Sequence, residues 1–292
     1  MSAEPVSYEA LGRPIRGPRA LSDDWPRFWH LTYNIAVMQW KLRFFGSALG
    51  YLWQLVRPLL LFTVLYVFFT QISHLGKTPG LSGRYYGSQL LGSIVLYTFF
   101  AECTMNSVRS VVDNETLVRK IQFPRLVIPL SNVLLALFNL SLNLVVVFIF
   151  ALLEGVRPML TWLELPLIVV LLTVLAAGLA MLLSAMYVYF RDIQPIWEVV
   201  SQVIFYASPV IIPFPLVQMR LSPTLVHLYL LNPLSTALQQ FRHAIINHGT
   251  PSVGTALGSG LALAEPIAIA VVIFVLGFVV FNRTAPHVAE DL

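Results

Sequence analysis

The chain has 292 residues, of which 57% are hydrophobic and only 11% are charged, and its net charge is +4. Soluble domains average roughly 25% charged residues, so this composition excludes a soluble enzyme and indicates an integral membrane protein. The single cysteine, Cys103, excludes a disulfide within the chain, and the scattered basic residues form no stripe of the kind that binds nucleic acid.

The N-terminal region predicts a tail followed by a helix at the membrane surface. Residues 1–21 contain Arg, Gly and Pro but lack the apolar core of a signal peptide, so we expect a flexible cytoplasmic tail. Residues 22–46 predict an amphipathic helix in the membrane interface, with cations on one face and aromatic residues on the other. The aromatic face comprises Trp29, Tyr33, Ala36, Val37, Trp40 and Phe44. The alternative is a soluble amphipathic helix, for which the chain offers no soluble core.

Six segments are apolar over the roughly 20 residues that a helix needs to cross a bilayer. They predict an all-α polytopic membrane protein whose transmembrane domain is 47–292, with spans at about 55–73, 89–110, 128–152, 160–187, 194–212 and 263–282. Cytoplasmic loops of membrane proteins are enriched in Lys and Arg. With the N-terminus in the cytoplasm, 13 of the 18 cations lie on that side, and the others are Lys77, Arg84, Arg157, Arg220 and Arg242. Both termini are therefore predicted to be cytoplasmic.

A short charged segment, residues 106–129, separates the second and third spans and is too polar to cross a membrane. In this segment, acidic and polar residues come first and basic residues follow. This order is typical of a short helix, because negative groups at the N-terminus and cations at the C-terminus complement the helix dipole. These residues are Asp113, Asn114 and Glu115, followed by Arg119 and Lys120. We expect a short cytoplasmic helix at about 113–123, which can contact a partner through Leu117, Val118 and Ile121. The alternative is a capped loop helix without a partner.

Residues 213–250 are too mixed in composition for a plain span and too apolar for a free loop. Pro213, Pro215 and Pro223 interrupt them, and Asn232-Pro233 then opens a short helix. Broken helices occur at membrane depth where protein buries them or where they line a cavity. We therefore expect a pair of short re-entrant helices at the outer face, with a structured extracellular loop as the alternative.

The sequence indicates no catalytic, nucleotide or metal site. The GKT triplet at 76–78 suggests a phosphate-binding loop, whose motif has another glycine five residues before the GK pair. Gln71 occupies that position here, so the motif is not matched. The six histidines are scattered without the spacing of metal ligands. We therefore predict no catalytic residue, no metal and no cofactor in this chain, so that any uphill transport draws its energy from a partner.

Four motifs make the chain resemble the membrane subunits of ABC-2 type exporters, specifically those for polysaccharides such as O-antigen, teichoic acid and cell-wall galactan. LRFFGSALGYLWQLVRP at Leu42–Pro58 is similar to the family's entry into its first span. ETLVRKIQFPRLVIP at Glu115–Pro129 resembles its coupling helix, and YVYFRDI at Tyr187–Ile193 resembles its turn before the fifth span. SPVII and NPLS, at Ser208–Ile212 and Asn232–Ser235, bracket what would be its two periplasmic gate helices.

This resemblance implies the transmembrane subunit of an ATP-driven exporter in the bacterial inner membrane. A homodimer is expected, because six helices cannot enclose a pore as wide as a sugar chain. Two copies of a separate cytoplasmic ATPase would bind ATP and Mg²⁺, and each would receive a coupling helix in a cleft. The cargo would be a lipid-linked polysaccharide. The excess of Arg over Lys fits a GC-rich genome and favours an actinobacterial galactan exporter within the family.

Charged residues within the predicted spans need a role, since each costs roughly 2.5–3.5 kcal/mol at the bilayer centre. Glu102 lies in the second span and Glu198 in the fifth. They are predicted to serve the transport path or its gate, with a structural polar pair as the alternative. Arg191 and Asp192 either anchor the turn before the fifth span or receive a lipid pyrophosphate headgroup.

A polysaccharide path favours aromatic rings, because rings stack on sugars with little demand for sequence. The candidate rings are Tyr51, Phe62, Tyr66, Phe69, Tyr97, Phe100, Phe205 and Tyr206. Core packing or lipid contact is the alternative role of each ring. Asn232 and Pro233 are candidates for the gate, since they begin the helix that follows the proline-rich stretch.

Three other functions stay open on the sequence alone. A drug or lipid exporter of the same superfamily is the nearest. A secondary transporter would favour an inverted repeat and an ion site at the membrane midplane, and the sequence shows neither. A membrane-embedded transferase would need a His or paired carboxylates facing one cavity, which Glu102 and Glu198 would supply if they met.

Overall fold

A computed structural model of the chain describes residues 25–44, 50, 52–72, 85–114, 124–246, 249–258 and 260–284. Within these ranges the structure is helical and contains no strand, as predicted for an all-α membrane protein. The long helices are α1 (Trp25–Phe44), α2 (Leu52–Val67, continued by a π-helical turn Phe68–Ile72), α3 (Tyr86–Val108), α5 (Val127–Leu153), α6 (Leu165–Tyr189), α7 (Ile193–Ala207) and α12 (Ala264–Thr284). The short helices are α4 (Ser110–Asp113), α8 (Phe214–Arg220), α9 (Pro223–Leu231), α10 (Pro233–Phe241, continued by a π-helical turn Arg242–Ile246) and α11 (Val253–Ala256).

Four helical segments are long and apolar enough to cross a membrane: Leu52–Ile72, Val127–Leu153, Leu160–Tyr189 and Ala264–Thr284. They lie at the first, third, fourth and sixth predicted spans, so the chain is a multi-pass membrane protein, as predicted. The second and fifth predicted spans contain α3 and α7. Of these, α3 is long but carries many polar residues, and α7 has 15 residues, which is about 22 Å of helix.

α3 and α5 run in opposite directions, which gives the bundle two distinct ends. Asn132 near the start of α5 contacts Asn106 near the end of α3, whereas Glu154 after α5 contacts Ser88 near the start of α3. We call the end that adjoins residues 109–126 the charged end. The opposite end, formed by residues 208–246 and 249–251, is called the proline-rich end.

α3 is the central helix of the bundle and is buried on nearly every side. It packs against α2, α5, α6, α7 and α10. Small and polar residues such as Gly92 and Ser93 are therefore covered by protein, which explains why this helix does not need an apolar outer surface. By contrast, α7 buries only Trp197 and Ser201 and exposes most of its length.

α1 packs along α5 through a face that the helical pattern did not single out. Phe28, Thr32 and Ala36 are fully buried in this contact, whereas Trp29 and Tyr33 are exposed. The predicted aromatic face is thus divided. Ala36 is buried, and the Tyr33 and Trp40 rings meet Phe138 of α5 with centroids 6.2 and 6.3 Å apart, whereas Trp29 stays exposed. Exposed Trp and Tyr rings suit the headgroup level of a membrane, so the interface position of α1 stays a prediction.

The proline-rich end contains three short helices, α8, α9 and α10, where a pair was predicted. Each begins with proline in its first turn, a position that needs no backbone N–H. Asn232 caps α10 by accepting a hydrogen bond from the Leu234 N–H at 3.0 Å. The third helix arises because Pro223 both ends the preceding turn and starts α9.

α6 and α12 cross with their backbones in close contact. A Cβ on Gly277 would overlap the carbonyl oxygen of Gly178, and a Cβ on Gly178 would lie 2.6 Å from the Cα of Phe274. The obstacle in both cases is backbone, which cannot rotate away. Small residues that let backbones approach in this way are typical of membrane helix interfaces.

Gly277→Ala is expected to force α6 and α12 apart and to lower the free energy of unfolding by about 1–3 kcal/mol, the usual cost of overpacking. Thermal unfolding of the purified protein in detergent measures this change. Gly254→Ala is the matched control, because a Cβ there meets nothing closer than 3.7 Å. Equal thermal stability of the two variants would contradict the close crossing.

Candidate functional site

The charged end begins where α3 gives way to the short helix α4. Arg109 pairs with Asp113 at 3.7 Å on the exposed surface, and the Asn114 side-chain amide donates to the Ser110 carbonyl at 2.7 Å. Asp113 is the last residue of α4, and the body of the predicted coupling helix, beyond Asn114, lies outside the described residues. The other coupling candidates lie outside the described residues: Glu115, Leu117, Val118, Arg119, Lys120 and Ile121.

Glu102 of α3 is held between two neighbouring helices by side-chain amides. Gln54 Nε2 of α2 donates to Glu102 Oε1 at 2.8 Å, and Asn139 Nδ2 of α5 donates to Glu102 Oε2 at 3.0 Å. Gln54 and Asn139 are buried and Glu102 is half-buried. Hydrogen bonds to a carboxylate are stronger than those between neutral groups. This contact therefore ties α2, α3 and α5 together.

A row of asparagines on α5 extends this contact toward the charged end. Asn132, Asn139 and Asn143 share one helix face, since their spacings are seven and four residues. Asn132 Nδ2 donates to the Asn106 carbonyl of α3 at 3.1 Å. Sequence reasoning missed this row, although polar residues at helical spacing within an apolar span were the signal that would have found it.

Glu198 does not pair with Glu102 in this structure. Glu198 is exposed and accepts a hydrogen bond from Gln194 Nε2 at 3.0 Å, one turn earlier on α7. No hydrogen bond or ion pair joins the two carboxylates within the described part of the chain. Glu102 and Glu198 therefore have separate side-chain amide partners, Gln54 and Asn139 for the first and Gln194 for the second.

Arg191 and Asp192 lie at the turn between α6 and α7, at the charged end. Both side chains are exposed, and Asp192 precedes α7 without forming a side-chain cap. Among the described residues, neither side chain forms a hydrogen bond or an ion pair. Both are thus available to solvent or to headgroups, and their predicted role is not decided by this geometry.

The candidate rings of α3 and α7 form one continuous aromatic chain. Tyr97 meets Phe205 with ring centroids 4.8 Å apart and Phe100 at 6.3 Å, and Phe205 meets Tyr206 at 5.2 Å. The Tyr97 hydroxyl also donates to the Ser201 carbonyl at 2.5 Å. Tyr97 and Phe100 are buried, whereas Tyr206 is 62% exposed. Of this chain, Tyr206 is thus the ring that offers most of its surface to a ligand.

The candidate rings of α2 are divided between the core and a groove. Phe62 is buried and contacts Tyr66 and Phe150, each with centroids 5.3 Å apart. Phe69 and Tyr206 line an apolar groove of about 520 Å³ between α2 and the start of α8. Tyr51 lies outside the described residues. The structure thus brings Phe69 of α2 and Tyr206 of α7 to one surface.

Arg242 is a functional candidate that the sequence did not reveal. The charge count places it among the cations outside the cytoplasm, whereas the structure shows that its side chain is 2% exposed between α10, α3 and the turn after α7. An arginine guanidinium keeps its proton in proteins, so this buried group is charged at neutral pH. The gate candidates Asn232 and Pro233 begin the same helix, α10.

Arg125, at the entrance to α5, is the second buried cation. Its side chain is 1% exposed, and Nε and Nη1 have no hydrogen-bond partner within the described part of the chain. Burial lowers the pKa of this guanidinium below its usual value. A buried arginine two residues after the undescribed range 115–123 adds a feature to the charged end that sequence reasoning missed.

The residues described in this section can form non-covalent contacts through charges, side-chain amides and aromatic rings. Among the residues that the structure describes, no group of three or more His, Cys, Asp or Glu side chains is placed to hold a metal ion. At the charged end, exposed charged residues lie beside helices that Glu102 joins by hydrogen bonds. In the middle of the bundle, aromatic rings and side-chain amides lie on α2, α3, α5 and α7. Such groups can hydrogen-bond and stack on a polyhydroxylated cargo.

Comparison with known proteins gives consistent results. Residues 31–246 match the model of the ABC-2 type transporter family. Two Klebsiella pneumoniae proteins, each named O-antigen export system permease protein RfbA, are 26% identical over 257 residues, which is 86% of this chain and 91% of theirs. A Myxococcus xanthus protein of the same name is 24% identical over 270 residues, covering 90% of this chain and 95% of its own length.

Glu102→Leu is expected to destabilise the protein by about 1–3 kcal/mol, because the buried amides of Gln54 and Asn139 lose their acceptor. Glu102→Gln is expected to cost less. Its amide can replace the carboxylate if Asn139 rotates and presents Oδ1, which is buried without a partner in the native protein. Thermal unfolding in detergent compares the two variants. A glutamine variant as unstable as the leucine variant would contradict this account of the contact.

Proposed function

This chain belongs to the ABC-2 type transporter family, and on that premise we propose that it is the transmembrane subunit of an ATP-driven exporter of lipid-linked polysaccharide. The observation that carries the proposal is the family match over residues 31–246. It is supported by three relatives named O-antigen export permeases, which align over at least 91% of their own lengths. The cargo is a lipid-linked glycan of the O-antigen, galactan or teichoic acid class.

The proposed subunit lies in the bacterial inner membrane with both termini and the charged end in the cytoplasm. Six helices cross the membrane, with α3 and α7 added to the four apolar spans. α3 can be polar because protein covers it. α7 can be short because residues 208–213 and the helices α8 to α10 complete the crossing at the proline-rich end. We call α8, α9 and α10 the gate helices.

A homodimer is part of the proposal, and the surface of α7 supports it. α7 exposes Glu198 and Gln202 beside Val199, Val203 and Tyr206. A charged group facing lipid near the bilayer centre costs roughly 2.5–3.5 kcal/mol. This face is better suited to an aqueous path or to a second copy of the chain than to lipid. Two copies that bring α7 and α2 together would line a path with Phe69 and Tyr206.

Two copies of a separate ATPase chain complete the proposed exporter and bind its ATP and Mg²⁺. The segment that follows α4 acts as the coupling helix, with Asp113 and Asn114 at its approach. α3 and α5 flank this segment and are joined to each other through Glu102, Asn139 and Asn132. A push on the segment would therefore move these two helices as one body, and α2 with them through Gln54.

The coupling role is tested by searching the neighbouring genes for an ABC ATPase and co-purifying its product with this chain. Glu115→Arg reverses a charge and Leu117→Asp removes an apolar contact, so each variant is expected to lose the ATPase subunit while the wild type retains it. Arg157→Glu is the matched control. It reverses one exposed charge in the loop after α5, about 40 Å from the charged end along a helix of 27 residues.

The control variant is expected to bind the ATPase as the wild type does. Failure of the wild type to bind any ATPase would overturn the exporter assignment. Retention of the ATPase by both Glu115→Arg and Leu117→Asp would leave the exporter but remove these residues as its contact.

The cargo class is tested with the complete complex in nanodiscs. Addition of a lipid-linked polysaccharide is expected to raise the rate of ATP hydrolysis severalfold, because a coupled exporter turns over when its path is occupied. The carrier lipid without its glycan is the control. Equal stimulation by the lipid alone, or by amphiphilic drugs, would favour the lipid or drug exporter instead.

A further inference from the structure

The turn between α7 and α8 depends on side chains for its backbone hydrogen bonds. Residues 208–213 form neither helix nor strand, yet the four carbonyls from Pro209 to Ile212 each accept a side-chain donor. Arg242 donates to the carbonyls of Pro209, Val210 (3.0 Å) and Ile212 (3.2 Å). The Tyr86 hydroxyl donates to the Ile211 carbonyl at 3.4 Å. Buried irregular backbone requires such partners, because neither lipid nor water supplies them.

Arg242 has a fourth partner that belongs to a different part of the molecule. Its Nε donates to Ser93 Oγ of α3 at 3.2 Å. A guanidinium carries five N–H donors in one rigid plane, and here that plane contacts the turn on one side and α3 on the other. No carboxylate is among its partners, so carbonyl and hydroxyl dipoles compensate the buried charge. Arg242 therefore bridges α3 and the turn that leads into the gate helices.

The α3 end of this bridge is fixed by close packing. The Phe241 ring lies directly on Gly92, where a Cβ would overlap it, so α10 and α3 are in contact immediately beside the Ser93 bond. The part of α3 from Ser93 to Val108, about 24 Å of helix, runs from this contact to the charged end. There Glu102 and Asn106 bind α2 and α5. One buried helix thus connects the two ends of the bundle.

From this geometry we infer that Arg242 is a positioning residue that transmits movement of α3 to the gate helices. When α3 shifts at the charged end, the Ser93 bond displaces the Arg242 guanidinium, which carries the 208–213 turn and the start of α8 with it. The inference rests on the proposed function, because it gives this exporter its link between the ATPase contact and the gate. In this role Arg242 does not bind the cargo of the exporter. It acts on transport only through the 208–213 turn.

A purely structural role for Arg242 makes a different prediction from a transmitting role. Holding the turn requires only the three carbonyl bonds, which persist when Ser93 loses its hydroxyl. Transmission requires the Ser93 bond as well. Ser93→Ala therefore separates the two roles without removing the arginine.

The experiment measures lipid-linked polysaccharide export per ATP hydrolysed, with the complete complex reconstituted in proteoliposomes. Ser93→Ala is expected to lower this ratio about fivefold, the effect of one buried hydrogen bond, while ATP hydrolysis continues. Arg242→Lys is expected to lower it about tenfold or more, since an ammonium cannot reproduce the planar set of four bonds. Ser107→Ala is the matched control, because this buried serine of α3 has a hydroxyl without a partner.

The outcomes are distinguishable. Loss of coupling in Ser93→Ala with a normal ratio in Ser107→Ala supports the inference. A normal ratio in Ser93→Ala overturns it, whether or not Arg242→Lys folds, and leaves Arg242 as a support of the turn alone. A wild-type complex that hydrolyses ATP without exporting the glycan overturns the proposed function, and the inference falls with it.

Discussion

Lipid offers no hydrogen-bond partner, so a polar group within this helix bundle obtains one mainly from the protein itself. Glu102 meets this requirement with the amides of Gln54 and Asn139, which come from helices on either side. The carbonyls of the turn after α7 meet it with Arg242 and Tyr86. In both places the polar group and its partner belong to different elements of the structure. At these two sites the polar residues fix one element to another.

Hydropathy predicted the lipid-facing helices well because lipid itself imposes that pattern on the sequence. The four apolar spans lie within a few residues of their predicted positions. The hydropathy of α3 predicted a span less clearly. Protein surrounds this helix, so its side chains need not be apolar. α7 was predicted to continue to residue 212 but ends at Ala207. Pro209 explains the difference, because it has no backbone N–H and disfavours a helical conformation at Ser208.

Contacts between residues far apart in sequence could not be predicted from periodicity. The bonds of Arg242 join it to residues 30 to 33 positions away in the turn and to Ser93, 149 positions away. A charge count can place such a residue on one side of a membrane but cannot reveal that carbonyls surround it. The same limit applies to α1, where the pattern identified the large aromatic rings and only packing shows that Phe28, Thr32 and Ala36 face α5.

The hydrogen bonds of Glu102 and Arg242 join some helices of the bundle to one another and leave others unjoined, so the helices differ in their freedom to move. α2, α3 and α5 share the bonds of Glu102, and α3 is joined to α10 by Arg242 and by the contact of Phe241 with Gly92. A helix that faces lipid can slide without losing a hydrogen bond, so it transmits little. A buried helix with bonds at both ends cannot shift without moving its partners. If the exporter is driven from the charged end, as we propose, α3 is an element through which work can reach the gate helices, since it is bonded near both of its ends.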